Sequence, residues 1–304
     1  METLKRGDKV AVVAASGVVN IESVLQGIEL LRSWGLVVSD EQEWGAEWGS
    51  LAGADIRRAS RLQKAINNPE IKAIFLARGG YGITRIIDTL DWSGFIDHPK
   101  WVIGFSDVTA LHSAINNLGF ASIHAPMVAQ FNNKELEVSV NQLQGVLFFN
   151  EAPDIIGKVK EEFSDQTIEG EVVGGNLCLI ADQIGTSSEL DLENKILFIE
   201  EVGEKAYQID RMMTRLLRSG ALKNIKALIM GQFSSVPNEE PPFFPLTIKQ
   251  IIKEKVNVPV ITDVSCGHET PNTPILLGGT YVITCSGSSA VMQFKGVDLQ
   301  VKRS

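Results

Sequence analysis

Short apolar runs alternate with helix-spaced stretches along the first half of the chain. "KVAVVAA", "IKAIFLA", "WVIGF" and "ASIHAP" are continuous apolar runs that predict buried strands. Among them, "ESVLQGIELLRSWG", "ADIRRASRLQKAINN", "GITRIIDTL", "DVTALHSAINNLG" and "LEVSVNQLQGVLFF" carry apolar residues at helical spacing. Strands that are apolar throughout, separated by helices, imply parallel pairing with both sheet faces covered. The pattern predicts an N-terminal α/β domain over residues 1–155 built on an open, doubly wound parallel sheet.

Periodicity weakens around "EAPD" and "KVKEEFSDQT", which places a linker over residues 156–168. Beyond it the alternation resumes: strand-like "IEGEVVGGN", helical "LCLIADQIG", then the pairs "KILFIEEV"/"YQIDRMMTRLLRSG" and "KALIMGQF"/"LTIKQIIKEKV", and the strand "VPVITDVS". The end, "TYVITCSGSSAVMQFKGVDLQVKRS", reads as a β-hairpin with a Gly-Ser turn. Residues 169–304 are therefore expected to form a second, smaller α/β domain with added antiparallel strands.

Composition narrows the class of function. The chain has 304 residues, 44% hydrophobic and 21% charged, which suits folded globular domains and argues against disorder. A net charge of -9 gives the wrong mean potential for a nucleic acid or an anionic membrane, so neither is an expected partner. Cys178, Cys266 and Cys285 lack metal-ligand or disulfide spacing, which suits reduced thiols in a cytoplasmic protein; no metal or other cofactor is expected. The N-terminal "METLKRGDKVAVVAASGVV" imitates a secretory signal, but Asp8 and Lys9 directly precede the apolar run and a helix pattern follows it. A buried first strand is the better reading.

Four motifs at predicted strand ends carry candidate chemistry, and each has an ordinary structural reading beside it. Ser106 lies in "GFSDV", where the last glycine of the G-x-S-x-G elbow is missing; alone it reads as well as a helix cap. "ARGGYG" supplies Arg78, Gly79 and Gly80, a turn that can aim backbone N–H groups at an anion, or simply a tight turn. Glu200 and Glu201 end an apolar strand; neighbours on a strand face opposite ways, so at most one of them enters a site. His268 sits in the Gly/Pro/Asn-rich "GHETPNTP", where a general base or an ordinary loop histidine would fit. Taken together, strand-end Ser, Glu and His in that chain order suggest a nucleophile, an acid and a base meeting between two domains.

The sequence also resembles the LD-carboxypeptidases, serine peptidases that include murein tetrapeptide carboxypeptidases and microcin-immunity peptidases. The resemblance spans nearly the whole chain and rests on "LAGADIRRASRLQ", "ARGGYGITRII", "GFSDVTALH", "HAPM", "VGGNLCLIADQIGT", "LFIEEVGEKAYQIDRMM" and "GHETPNTPILLG". It implies Ser106 as nucleophile, Glu200 and His268 as its triad partners, and the N–H groups of Gly80 and Asp107 as an oxyanion hole. One departure is Glu201, where many relatives carry Asp. Arg78, Gly79 and the helix opened by Asn176 are the candidates for binding a substrate carboxylate. The resemblance further implies release of the terminal D-alanine from a murein tetrapeptide during cytoplasmic cell-wall recycling, by a homodimer. The alternatives are a self-immunity peptidase of the same family and a non-catalytic binder of murein peptides.

Overall fold

The structure, a computed structural model, describes residues 1–39, 44–237 and 243–297. Its first half runs β1 (Lys9–Val13), α1 (Ile21–Ser33), β2 (Val37–Ser39), α2 (Asp55–Asn67), β3 (Ile71–Leu76), α3 (Ser93–Asp97), β4 (Trp101–Gly104), α4 (Thr109–Asn117), β5 (Ser122–His124) and α5 (Glu137–Phe149). The second half runs β6 (Ile155–Lys158), β7 (Thr167–Asn176), α6 (Leu177–Asp182), β8 (Ile196–Val202), α7 (Ala206–Ser219), β9 (Ala227–Ser234) and α8 (Ile248–Lys255). It closes with β10 (Val260–Ile261), β11 (Ile275–Leu277), β12 (Gly279–Ser286) and β13 (Ser289–Gly296). Residues 298–304 of the expected second domain lie outside the described residues.

The first sheet has the order β11-β5-β4-β3-β1-β2, with β1 to β5 parallel and β11 antiparallel to β5. Because side chains alternate along a strand, Val10, Val12, Phe75, Trp101 and Ile103 face one way, into a core shared with Ile28 and Leu31 of α1 and Leu143 and Leu147 of α5. Ala11, Val13, Ile74, Leu76 and Val102 face the other way, against Leu62 and Ile66 of α2 and Leu111 and Ile115 of α4. Both faces are thus dry, as the unbroken apolar strands require, and each fully buried Val, Leu or Ile contributes about 1.5–3 kcal/mol.

The second sheet has the order β10-β9-β8-β7-β12-β13-β6, parallel from β10 to β7 and antiparallel beyond. Val173, Leu197, Ile199 and Leu228 pack on Ile180, Ile209, Met213 and Ile251 from α6, α7 and α8. On the opposite face Val172, Ile196, Phe198 and Ile229 meet Tyr281, Ile283 and Met292. The mixed α/β architecture expected from the pattern is the one observed.

Three features differ from the sequence expectation. The stretch read as a linker from residue 156 instead contributes β6, which extends the second sheet by pairing with β13. Strand β11, from the second half of the chain, joins the first sheet; Leu276 enters one core of that sheet, while Ile275 and Leu277 enter the core of the second, so one strand bolts the two halves together. "GITRIIDTL" is not an α-helix but a single 3₁₀ turn at Ile87–Thr89, ended where Leu90 returns to an extended conformation.

Candidate active site

Strand β4 ends in a sharp elbow. Phe105 is extended, Ser106 then takes φ +64°, and a 3₁₀ turn over Ser106–Val108 leads into α4. A left-handed L-residue costs about 1–3 kcal/mol and persists only where its surroundings enforce it. Here Val108 folds back over Gly104 so closely that a Cβ at Gly104 would lie 2.9 Å from Val108 Cγ2. The expected helix start at Asp107 is therefore a 3₁₀ turn, with α4 beginning at Thr109. The cap reading of Ser106 is corrected as well: an N-cap residue is extended and its oxygen accepts from the helix, whereas Ser106 is left-handed and neither element has a side-chain cap bond.

The glycine loop after β3 comes up beside this elbow. Gly79 is so close that an added Cβ would lie 3.1 Å from Ser106 Cβ and 3.4 Å from its Oγ. The Gly79 carbonyl accepts from Gly17 N–H at 3.1 Å, which ties the loop to the turn after β1. Gly80 has φ +114°, a conformation closed to most side chains. Arg78 is exposed at the rim and donates one guanidinium N–H to the Val18 carbonyl at 2.5 Å.

At the end of β8 the two glutamates part as alternation requires. Glu200 is fully buried, with Oε2 2.7 Å from His268 Nδ1. Glu201 turns to the opposite face and accepts from Asn176 Nδ2 (2.9 Å), Cys178 N–H (2.8 Å) and Val202 N–H (2.9 Å). Burial pushes the Glu201 carboxyl up to about 7, against the pull of those donors. Asn176 is buried too: its side chain donates to Glu201 and accepts from Leu179 N–H as the cap of α6, and its own N–H donates to Thr109 Oγ1 at 2.9 Å. Thr109 opens α4, so this contact links the serine's helix to the strand beside Glu200. It needs a glycine at 175, where a Cβ would lie 2.5 Å from Thr109 Oγ1.

His268 is held by its loop. Gly267 N–H donates to Asn272 Oδ1 at 3.0 Å, and Glu269 N–H donates to Gln232 Oε1 at 2.8 Å. The imidazole rests on the Phe105 ring with centroids 4.8 Å apart, so the histidine of the second half of the chain sits against the residue preceding Ser106. Ser106, Glu200, His268, Gly79 and Asp107 are thereby brought to one place, and Arg78 stands at its edge.

The remaining titratable groups nearby have other roles. His112 is buried with Nε2 2.9 Å from the Gly104 carbonyl, and burial lowers its pKa to about 4; a neutral ring donating to that carbonyl follows. His124 is buried and held well below its ordinary value in the same way. Burial pushes the Cys266 thiol up and Cys178 up to about 11, which leaves neither poised as a thiolate nucleophile. Among the described residues no group of three or more His, Cys, Asp or Glu could hold a metal ion, and no helix is long and apolar enough to cross a membrane.

Sequence reasoning passed over Ser16, Arg58 and Thr109. Ser16 Oγ donates to Asp107 Oδ2 at 2.6 Å, and the fully buried Arg58 donates to three backbone carbonyls around the same loops. Arg58 had a readable signal: with Leu62, Ala65 and Ile66 it falls on the buried stripe of α2, where an unpaired arginine would not be tolerated.

Comparison with known proteins gives the family of the chain. Residues 10–125 match the LD-carboxypeptidase N-terminal domain, and residues 169–283 match the LD-carboxypeptidase C-terminal domain. A Bacillus subtilis (strain 168) protein described as a "Probable murein peptide carboxypeptidase" is 30% identical over 303 residues, covering 96% of this chain and 93% of its own. The crystal structure of muramoyltetrapeptide carboxypeptidase from Oxalobacter formigenes superposes with TM-score 0.82 at 26% identity, covering 95% of this chain and 99% of that one. The structure of MccF in complex with glutamyl sulfamoyl guanosine has the same fold, with TM-score 0.84 at 19% identity over 97% of this chain and 98% of its own. The chain belongs to the LD-carboxypeptidase family. It is a carboxypeptidase of that family, and hence a hydrolase.

Proposed function

We propose that the protein is a serine carboxypeptidase that removes the terminal D-alanine from murein tetrapeptide by cleaving an L,D-peptide bond. The observation that carries this reading is the pairing of buried Glu200 with half-buried His268, at 2.7 Å, the imidazole resting on Phe105 directly before a left-handed Ser106. A carboxylate only accepts, so His268 Nδ1 donates to it and Nε2 is left free to take the Ser106 proton. Ser106 Oγ attacks the scissile carbonyl, and the resulting oxyanion is met by the N–H groups of Gly80 and Asp107. Protonated His268 then passes its proton to the departing amine of D-alanine. Water, deprotonated by His268, releases the acyl group and restores the serine. A single oxyanion donor contributes about 3 kcal/mol in serine hydrolases.

A carboxypeptidase must also recognise a free carboxylate. Arg78 spends one N–H on Val18 and is exposed at the rim, which suits it to that task. Gly79 and Asn176 shape the floor, Gly79 by leaving room beside Ser106 and Asn176 by bracing Glu201 and Thr109. In this reading a homodimer acts in the cytoplasm on recycled wall fragments, without a cofactor.

The test is incubation with murein tetrapeptide followed by mass measurement of the products. Loss of one D-alanine by the wild type, with none in Ser106→Ala, is the expected result, and amidation of the peptide's C-terminus should abolish cleavage. Retention of intact peptide without turnover would point to a binder instead. The shared fold with MccF motivates a second arm with an aminoacyl sulfamoyl nucleoside as substrate; preferential cleavage there would move the assignment to the self-immunity branch.

A further inference from the structure

Two buried charges behind the serine have no part in the chemistry described above. Asp107 is 1% exposed, and its Oδ2 accepts from Ser16 Oγ at 2.6 Å and from Ile83 N–H at 3.0 Å. Arg58, fully buried on α2, donates to the carbonyls of Ala15 (2.5 Å), Gly82 (2.8 Å) and Gly53 (3.2 Å) and pairs with Asp55. The peptide joining Gly82 to Ile83 is therefore held at both ends, its carbonyl by Arg58 and its N–H by Asp107. Since a peptide unit is rigid and planar, two such bonds fix its orientation. The turn after β1 is held by the same pair, through the Ala15 carbonyl and the Ser16 hydroxyl. That turn in turn holds the near end of the glycine loop, through Gly17 N–H to the Gly79 carbonyl.

The clamp answers a specific weakness. Gly80 and Gly82 sit at φ +114° and +134°, where glycine alone is comfortable and where neither residue has a side chain to fix the turn. The fit at Arg58 is close enough that a Cβ on Gly82 would lie 2.5 Å from its Nη1. Burial pushes the Asp107 carboxyl up, while the bonds from Ser16 and Ile83 and the Arg58 charge pull it back toward the ionised form that can accept both donors.

We propose that Asp107 and Arg58 are positioning residues that hold the Gly79–Gly82 loop in register with Ser106, so that both oxyanion donors are set by one residue. The Asp107 backbone N–H is one donor, and its carboxylate fixes the loop that supplies the other from Gly80. This inference rests on the functional reading above and deepens it. Its physical content is preorganisation: the loop is bound from behind, on groups that substrate never touches, and does not rearrange as the oxyanion forms.

The test compares Ser16→Ala and Asp107→Asn with wild type on murein tetrapeptide and on a phosphonate analogue of the scissile bond. Each variant is expected to lower kcat about 10- to 100-fold, leave KM within about twofold, and weaken the phosphonate by the same factor as kcat. A lowered melting temperature with kcat and phosphonate affinity unchanged would mean the network is only structural and would overturn the proposal. Ser16→Ala deletes one hydroxyl and keeps the test open if Asp107→Asn does not fold. Activity retained by Ser106→Ala would instead overturn the functional reading itself; with Ser106→Ala inactive, unchanged kcat in the other two overturns this inference alone.

Discussion

Glu200 Oε2 and His268 Nδ1 lie 2.7 Å apart, the carboxylate fully buried and the imidazole 19% exposed. The carboxylate dictates which ring nitrogen carries the hydrogen, and this is where substitution acts. Glu200→Gln keeps the shape but can present an amide N–H to Nδ1, which favours the tautomer with its hydrogen on Nε2 and removes the base. The expected result is a fall in kcat of about a thousandfold or more with little change in KM. Steady-state kinetics of the variant check it, and a loss below about tenfold would show that Glu200 does not orient the histidine.

Ser106 stores strain that a smaller residue would release. Left-handed serine costs about 1–3 kcal/mol, against which glycine loses about 0.5–1 kcal/mol of extra chain entropy on folding. Ser106→Gly is thus expected to be inactive but more stable, by about 1 kcal/mol, in urea denaturation. The opposite sign, a loss of roughly a few tenths of a kcal/mol, is what replacing a helix cap by glycine would give.

Much of this arrangement was legible in the sequence because its signals are local. Unbroken apolar strands separated by helical spacing specify the two-faced sheet, and strand alternation allows only one of Glu200 and Glu201 into the site, the family resemblance pointing to Glu200. What was hidden depends on distant partners. Asp107 meets Ser16, 91 residues away, and Ile83, 24 residues away, so the burial of its carboxylate is a tertiary fact. Arg57, Arg58 and Arg61 share one helix, and the apolar stripe marks Arg58 as the buried one, but the carbonyls of Ala15 and Gly82 that it meets lie 43 and 24 residues away. Strand β11 is three residues long and follows "NTP", so it reads as loop; only its pairing with β5 defines it. "GITRIIDTL" has helical spacing, but only Ile87–Thr89 is helical, as a 3₁₀ turn, and spacing carries no information about the Asp107 carboxylate that Ile83 N–H meets.

Gly79 makes a prediction about space. Its backbone lacks positive φ, so alanine is conformationally acceptable, but the new methyl would lie 3.1 Å from Ser106 Cβ and 3.3 Å from Met127 Cε. The neighbours must give by a few tenths of an ångström, and Ser106, anchored in a strained elbow, is the costly one to move. Gly79→Ala should therefore fold normally and lower kcat by on the order of 100-fold, since a small displacement of a nucleophile is expensive. Circular dichroism and kinetics together decide it: native spectra with undiminished kcat would place Gly79 outside the reacting geometry.

Glu201 gives the stability of the protein a pH dependence whose sign can be worked out. Its carboxyl titrates near the ordinary 4.5 in the unfolded chain and at about 7 in the fold, where burial opposes ionisation. Between those values the unfolded chain has released a proton that the native protein keeps. The contribution of Glu201 is thus fully present below about pH 4.5 and is lost as the pH rises through about 7. Glu201→Gln can still accept through its amide oxygen but cannot titrate. The difference in unfolding free energy, wild type minus variant, should then decline from about pH 5 to about pH 7 and level off above. Denaturation series at these pH values measure it, and a difference that stays constant would show that burial leaves the Glu201 carboxyl at its ordinary value.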